Sequence, residues 1–145
     1  MEWQRDSLLV SDDPARIDLD VVHGFLREVY WAKGIPRETV QRSIDNSMCF
    51  SIFENGNQIG FARVITDKTT FGYLSDVFVL ESHRGKGASR CMLDCIMNHP
   101  ELANLPRWML LTDDAHGLYR KFGFEDIAQP HRHMEVSRPK PYGNR

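Results

Sequence analysis

One stretch of the chain gathers groups suited to holding a phosphorylated ligand: Val79-Leu80-Glu81-Ser82-His83-Arg84-Gly85-Lys86-Gly87-Ala88-Ser89. It follows an apolar, β-rich run and precedes a helical pattern, so its backbone N–H groups converge at the positive end of a helix dipole. That geometry suits a diphosphate, and glycine keeps any Cβ out of a ligand's approach. A Walker A loop is excluded, because GxxxxGK followed by Ser or Thr occurs nowhere. A dinucleotide fingerprint fails as well. Gly85 and Gly87 fit GxGxxG, but Arg90 occupies the third glycine position, and the preceding strand ends a meander instead of opening a βαβ unit. The remaining pattern is Arg/Gln-x-x-Gly-x-Gly/Ala, which residues 84–89 match except at Ser89.

Other reactive side chains give weaker patterns. His83 lies in the glycine loop, where solvation or a phosphate contact explains it. His116 falls in the first turn of a helix and is expected to be exposed. His131 and His133 alternate without a third ligand at metal spacing, so no metal site is expected. Cys91 and Cys95 stand four apart, which is neither CxxC nor a zinc spacing. With Cys49 they read as buried thiols of a reducing compartment.

The elements that must position these groups follow from periodicity. Ser7–Ser11 reads as a first strand. Asp18 can cap a helix carrying Leu19, Val22, Phe25 and Leu26, and a second helix spans about Arg37–Asp45 with Val40 and Ile44 four apart. Strands are predicted at Met48–Phe53, Ile59–Ile65 and Phe71–Leu80, the first two joined by the Asn55-Gly56 turn. A helix follows over Gly87–Asn98. Trp108–Thr112 lacks alternation, as expected of a strand buried on both faces. Asp113 or Asp114 can cap a helix running to Phe122 and ended by Gly123. Two weaker strands are predicted near Phe124–Ile127 and His133–Val136. An antiparallel meander followed by a strand–helix–strand crossover makes a mixed α/β (α+β) sheet of about six or seven strands with about four helices.

With 145 residues the chain holds one domain, placed at residues 1–137, and a frayed tail at 138–145. It is 41% apolar and 26% charged, which excludes wholesale disorder. A net charge of −2 argues against a surface built for nucleic acid or anionic lipid. No apolar run reaches the roughly 18 residues of a membrane helix, and the first residues lack a signal-like apolar core, so a cytoplasmic location is expected.

Two motifs together make the chain similar to the GNAT superfamily of acyl-CoA-dependent N-acetyltransferases. One is Tyr73-Leu74-Ser75-Asp76-Val77-Phe78-Val79 running into the Arg84 loop. The other, Ala115-His116-Gly117-Leu118-Tyr119-Arg120-Lys121-Phe122-Gly123-Phe124, resembles the family's A-x-x-L-Y-x-K-x-G-F helix. The resemblance covers nearly the whole chain in element order. It implies acetyl-CoA as co-substrate, no metal, and a GNAT-like sheet whose central strand splays from its neighbour to admit the pantetheine arm. By position, Phe78 and Val79 would bind that arm through their backbones, and Arg84, Gly85, Lys86, Gly87, Ala88 and Ser89 would cradle the pyrophosphate. A backbone N–H on the same strand would stabilise the developing oxyanion.

The resemblance also implies that Tyr119 donates a hydrogen bond to the departing CoA sulfur. With a phenol near 10 and a thiol near 8.5, complete proton transfer is uphill by about 1.5 pH units, or ~2 kcal/mol, so a shared hydrogen bond is the more economical role. A base must also deprotonate the incoming ammonium. Related enzymes carry a carboxylate or His at positions matching Tyr73 or Ser75; here Ser75 cannot act unaided. Asp76 is the nearest carboxylate, but alternation places it opposite Ser75 unless a bulge redirects it. A water chain past Tyr73 and Ser75 is the alternative. In folds of this kind the connection between the first two helices overhangs the splay. Tyr30 and Trp31 there are expected to divide their roles, one ring packing as core and the other lining the acceptor site with Tyr73.

The expected activity is therefore transfer of an acetyl group from acetyl-CoA to a primary amine of a small molecule, by direct attack in a ternary complex. Alternatives are a protein lysine or N-terminal acetyltransferase, and a non-catalytic acyl-CoA sensor. The expected partners are acetyl-CoA and an amine acceptor, with no nucleic acid or membrane, in a monomer or homodimer.

Overall fold

The computed structural model describes residues 1–138 and 142. Six strands form one sheet in chain order: β1 (Glu2–Arg5), β2 (Leu8–Ser11), β3 (Met48–Glu54), β4 (Asn57–Thr66), β5 (Gly72–Val79) and β6 (Trp108–Leu110). Neighbours are antiparallel except β5 and β6, which run parallel. The helices are α1 (Leu19–Leu26), α2 (Arg37–Asp45), α3 (Ala88–Met97) and α4 (His116–Arg120). The mixed α/β class, the six-strand count and the four helices agree with the expectation.

Alternation along the strands divides the core into two layers. Phe61 and Phe78 face α1 and α2, joined there by Val22, Leu26, Val40 and Ile44. Phe50, Ile52, Val64 and Leu74 face α3, where Met92, Leu93 and Ile96 cover them. Asp18 caps α1, accepting from the N–H groups of Asp20 and Val21 as its position predicts. Asn55 and Gly56, with φ of 52° and 80°, make the left-handed turn between β3 and β4. Among the described residues no helix is long and apolar enough to cross a membrane.

The two ends of the chain differ from expectation. β1 was not anticipated, since its exposed Glu2, Gln4 and Arg5 show no core face. Its anchor is Trp3, whose ring packs on Phe50 and His99. Trp108–Leu110 is half-buried, not buried on both faces, because it is the sheet's edge strand. α4 is shorter than predicted and neither Asp113 nor Asp114 caps it; the Thr112 hydroxyl accepts from the Ala115 N–H instead. Phe124–Ile127 and His133–Val136 form no strands. The left-handed Gly123 and Pro130 interrupt the segment, whose one regular feature is a single 3-10 turn at Pro130–Arg132. Most of the tail predicted at 138–145 lies outside the described residues.

One close approach ties β4 to β5. A Cβ on Gly60 would lie 2.6 Å from the Phe78 carbonyl oxygen and 2.8 Å from a methyl group of Ile52. The carbonyl is backbone and cannot rotate aside, so the strands must part to admit a methyl. Gly60→Ala is therefore expected to cost about 1–3 kcal/mol, read from the urea midpoint. A variant with an unchanged midpoint would show that this crossing is not tight.

Candidate active site

The glycine loop is shaped by backbone conformation. After β5, the Leu80 N–H donates to the Ile59 carbonyl, and a 3-10 turn at Glu81–His83 reverses the chain. The Arg84 guanidinium turns back, its Nε donating to the Val79 carbonyl at 3.0 Å. Gly85 and Gly87 have φ of 81° and 79°, a region costly for side-chain-bearing residues. A Cβ at either would meet nothing within 4 Å, so the conformation, not crowding within the protein, demands glycine. Among the described residues the amide N–H groups of 85–90 find no acceptor, leaving a cluster of donors at the start of α3.

Charge around the loop is divided. Lys86 Nζ lies 3.3 Å from Glu54 Oε1. Hydrogen bonds from Ser7 and then Lys86 hold the Glu54 carboxyl below its usual range. A neighbouring cavity of about 620 Å³ is lined by Arg5, Lys86, Arg90 and Lys121 together with Asp6, Glu54 and Asp94. Free donors and open space over the glycines fit a diphosphate. Arg84 differs from the other predicted cradle residues: its N–H donates to the Glu81 carbonyl and its Nε to that of Val79, so what it has to offer a ligand is the outer end of its guanidinium.

The splay is present. β5 pairs with β6 only from Gly72 to Leu74, opposite Trp108 to Leu110. From Ser75 to Val79 the edge of β5 facing away from β4 has no neighbouring strand among the described residues. On the other edge the register runs Arg63 opposite Ser75 and Phe61 opposite Phe78, so Asp76 and Val77 together face Ala62. This is a β-bulge, and Asp76 has a φ of 52°. The extra residue breaks alternation and turns Asp76 to the face that carries Ser75.

On that face Arg63, which the sequence reading did not single out, is the hub. Its Nε donates to Asp76 Oδ2 at 3.0 Å, and its remaining nitrogens reach Ser75 Oγ at 3.3 Å and Ser47 Oγ at 3.1 Å. Asp76 Oδ1 accepts from the Trp31 indole at 2.8 Å. Tyr73 lies half-buried beside them, and its phenol is pushed up by burial first and then by the Asp76 charge. Tyr30 meets Trp31 edge to face at 5.2 Å, and Phe25 stacks on Phe78 at 4.0 Å. The expectation that either Tyr30 or Trp31 packs as core does not hold: they are 66% and 42% exposed. Ala32 and Ile35 anchor the loop in their place. The Tyr30 phenol is pushed up by partial loss of hydration and then by the nearby Asp113 carboxylate, in the loop after β6.

Tyr119 approaches from the opposite layer. It is buried against the α3 core, with its ring edge to face with Phe124 at 5.9 Å. Burial first, and the nearby Asp114 charge second, push its phenol up to about 12. Among the described residues its hydroxyl has no hydrogen-bond partner, and the residue lines a cavity of about 450 Å³ beside β6. His116 is exposed, and His133 is engaged with Arg107 and the Gln129 carbonyl. Among the described residues no three His, Cys, Asp or Glu side chains cluster so as to hold a metal ion.

Residues 45–126 match the Acetyltransferase (GNAT) domain family. A protein of Gibberella zeae, FG08082, whose acetyltransferase activity is itself inferred, is 35% identical, over 88% of this chain and 84% of its own. The crystal structure of a GNAT-family protein from Xanthomonas campestris pv. campestris, its activity likewise inferred, superposes with a TM-score of 0.92 at 45% identity, over 97% of this chain and 99% of that one. A protein of Clostridium acetobutylicum, assigned as an acetyltransferase and crystallised with acetyl-CoA, shares the fold at 17% identity, with a TM-score of 0.63 over 90% of this chain and 94% of its own. Family match, sequence identity and fold agree with one another, and the chain belongs to the GNAT acetyltransferases.

Proposed function

We propose that this acetyltransferase moves an acetyl group from acetyl-CoA to a primary amine of a small molecule, by direct attack in a ternary complex. The observation that carries the reading is the continuity of the open β5 edge with the donor cluster at 85–90. Bound along them, acetyl-CoA supplies a thioester carbonyl for attack and a thiolate as leaving group. The loop N–H groups would hold the diphosphate, and the backbone of Phe78 and Val79 would line the pantetheine arm. Val79 has less to offer, since its carbonyl already accepts from Arg84.

On the acceptor side, Tyr30, Trp31 and Tyr73 form the wall. Tyr30, in the α1–α2 connection, lies near Asp113 of the loop after β6, across the splay. A groove flanked by these two loops favours a compact amine over an extended peptide. The aromatic faces with Asp113 and Asp114 nearby suit a cation. Both Asp76 oxygens already hold donors, and Ser75 shares Arg63, so the proton lost by the ammonium passes most directly to water along Tyr73 and Ser75.

Tyr119 keeps its proton. Its phenol at about 12 lies some 3.5 pH units above a thiol near 8.5, so a complete transfer would cost about 5 kcal/mol. Its role is a hydrogen bond to departing negative charge.

The function is tested by a panel of small amines and lysine peptides with acetyl-CoA, read by thiol release. Turnover with small amines and none with peptides is expected; the reverse result would move the activity to protein substrates, and no turnover with either would favour a sensor. Gly87→Val, with a β-branched residue at a φ of 79°, is expected to lose acetyl-CoA binding by calorimetry while keeping its far-UV circular dichroism. Unchanged affinity in the folded variant would remove the loop from the cofactor site. Tyr119→Phe is expected to lower kcat by about 10–100-fold with acetyl-CoA affinity retained. Because the wild-type phenol stays protonated until about pH 12, its kcat profile should show no basic limb from this residue below about pH 10. An unchanged kcat in the phenylalanine variant would make Tyr119 a packing residue.

A further inference from the structure

We infer that Asp76 is a positioning residue: its carboxylate latches the Trp31 indole and so fixes the acceptor loop above the open edge of β5. The inference rests on the acceptor site proposed above and assigns that site its organising contact.

The first observation is conformational. Asp76 holds a φ of 52° without being glycine, inside a bulge where two residues of β5 face one of β4. Such a backbone persists where surrounding contacts over-determine it. In a regular strand, residue 76 would point toward α3 and reach neither Arg63 nor Trp31. The bulge therefore delivers a carboxylate to the acceptor face.

The second observation is what the carboxylate does there. Oδ2 is anchored to Arg63, and both side chains are largely buried, at 9% and 15% exposure. Arg63 is in turn held by Ser47 and Ser75, so it offers a fixed point spanning the start of β3, β4 and β5. Oδ1 is left to take the Trp31 indole N–H at 2.8 Å. The indole is 42% exposed and gets little hold from burial, with Phe25 and Tyr30 touching it at ring-centroid distances of 6.5 and 5.2 Å. The bond to Asp76 is thus the polar contact that sets the ring's orientation. Tyr30, packed edge to face on that ring, follows it. A carboxylate with both oxygens engaged in this way acts through Trp31 and does not reach the reacting amine itself.

The test uses the full chain. In a ¹H–¹⁵N spectrum the Trp31 indole signal is identified by its loss in Trp31→Phe, the other indoles belonging to Trp3 and Trp108. Its exchange with solvent should be slow in the wild type and fast in Asp76→Gly, which keeps the left-handed backbone while removing the carboxylate. With an accepted amine, Trp31→Phe and Asp76→Gly should each raise the acceptor KM about fivefold or more, with kcat and the acetyl-CoA KM held within about threefold. The double variant should be no worse than the singles, as for two residues acting as one unit.

A large fall in kcat with unchanged acceptor KM, additive effects, or indole exchange insensitive to Asp76→Gly would overturn the assignment. If Asp76→Gly fails to fold, because it leaves Arg63 without its carboxylate, Trp31→Phe keeps that ion pair and carries the KM test alone. If the wild type acetylates no amine, the proposed function fails, whereas indole exchange still decides the latch.

Discussion

The arrangement of this molecule turns on one mismatch in its sheet, where two residues of β5 stand against one of β4. A regular ladder would keep Asp76 among apolar side chains, where an unpaired carboxylate is costly. With the bulge, Asp76 meets Arg63 and Val77 fills the apolar side instead. The pair is mutually required. Arg63 sits on an inward-facing position of a central strand, and without Asp76 its charge would lack a counter-ion. The local twist of a bulge also turns β5 away from a straight course, in the region where it parts from β6.

That parting gives the site its two-sided character. The glycine loop caps the end of β5, the aromatic rim of Tyr30 and Trp31 rises from the layer of α1 and α2, and Tyr119 comes through the layer of α3. Each contributor is anchored in a different part of the core, so no single element carries the chemistry. The sheet aligns them, and Gly60 allows the Phe78 carbonyl to approach closely enough to keep β4 and β5 in step past the bulge.

Much of this was legible in the residue order because the signals are local. The Asp18 cap, the Asn55-Gly56 turn, the spacing of Arg84, Gly85 and Gly87, and the helical periodicity around Met92 each depend on a few neighbouring residues. What escaped depends on distant partners. Arg63 looks like an ordinary outward charge until Asp76, Ser75 and Ser47 are folded around it. β1 carries no alternation, and its place comes from Trp3 meeting Phe50 and His99. The alternating His133–Val136 segment satisfies the pattern of a strand, but a strand also needs a partner edge, which periodicity cannot supply. Tyr30 and Trp31 were expected to divide between core and surface. Ala32 and Ile35 took the core role, leaving both rings outside.

The three-way grip on Arg63 has a consequence for the cost of recognition. A loop that becomes ordered only around its ligand must lose backbone and side-chain freedom at the moment of binding, and that loss weakens affinity. Here the guanidinium, the carboxylate and the indole are joined by contacts within the chain itself, so the freedom of the rim is surrendered when the chain folds. An acceptor entering the proposed site would meet a surface that already has its shape.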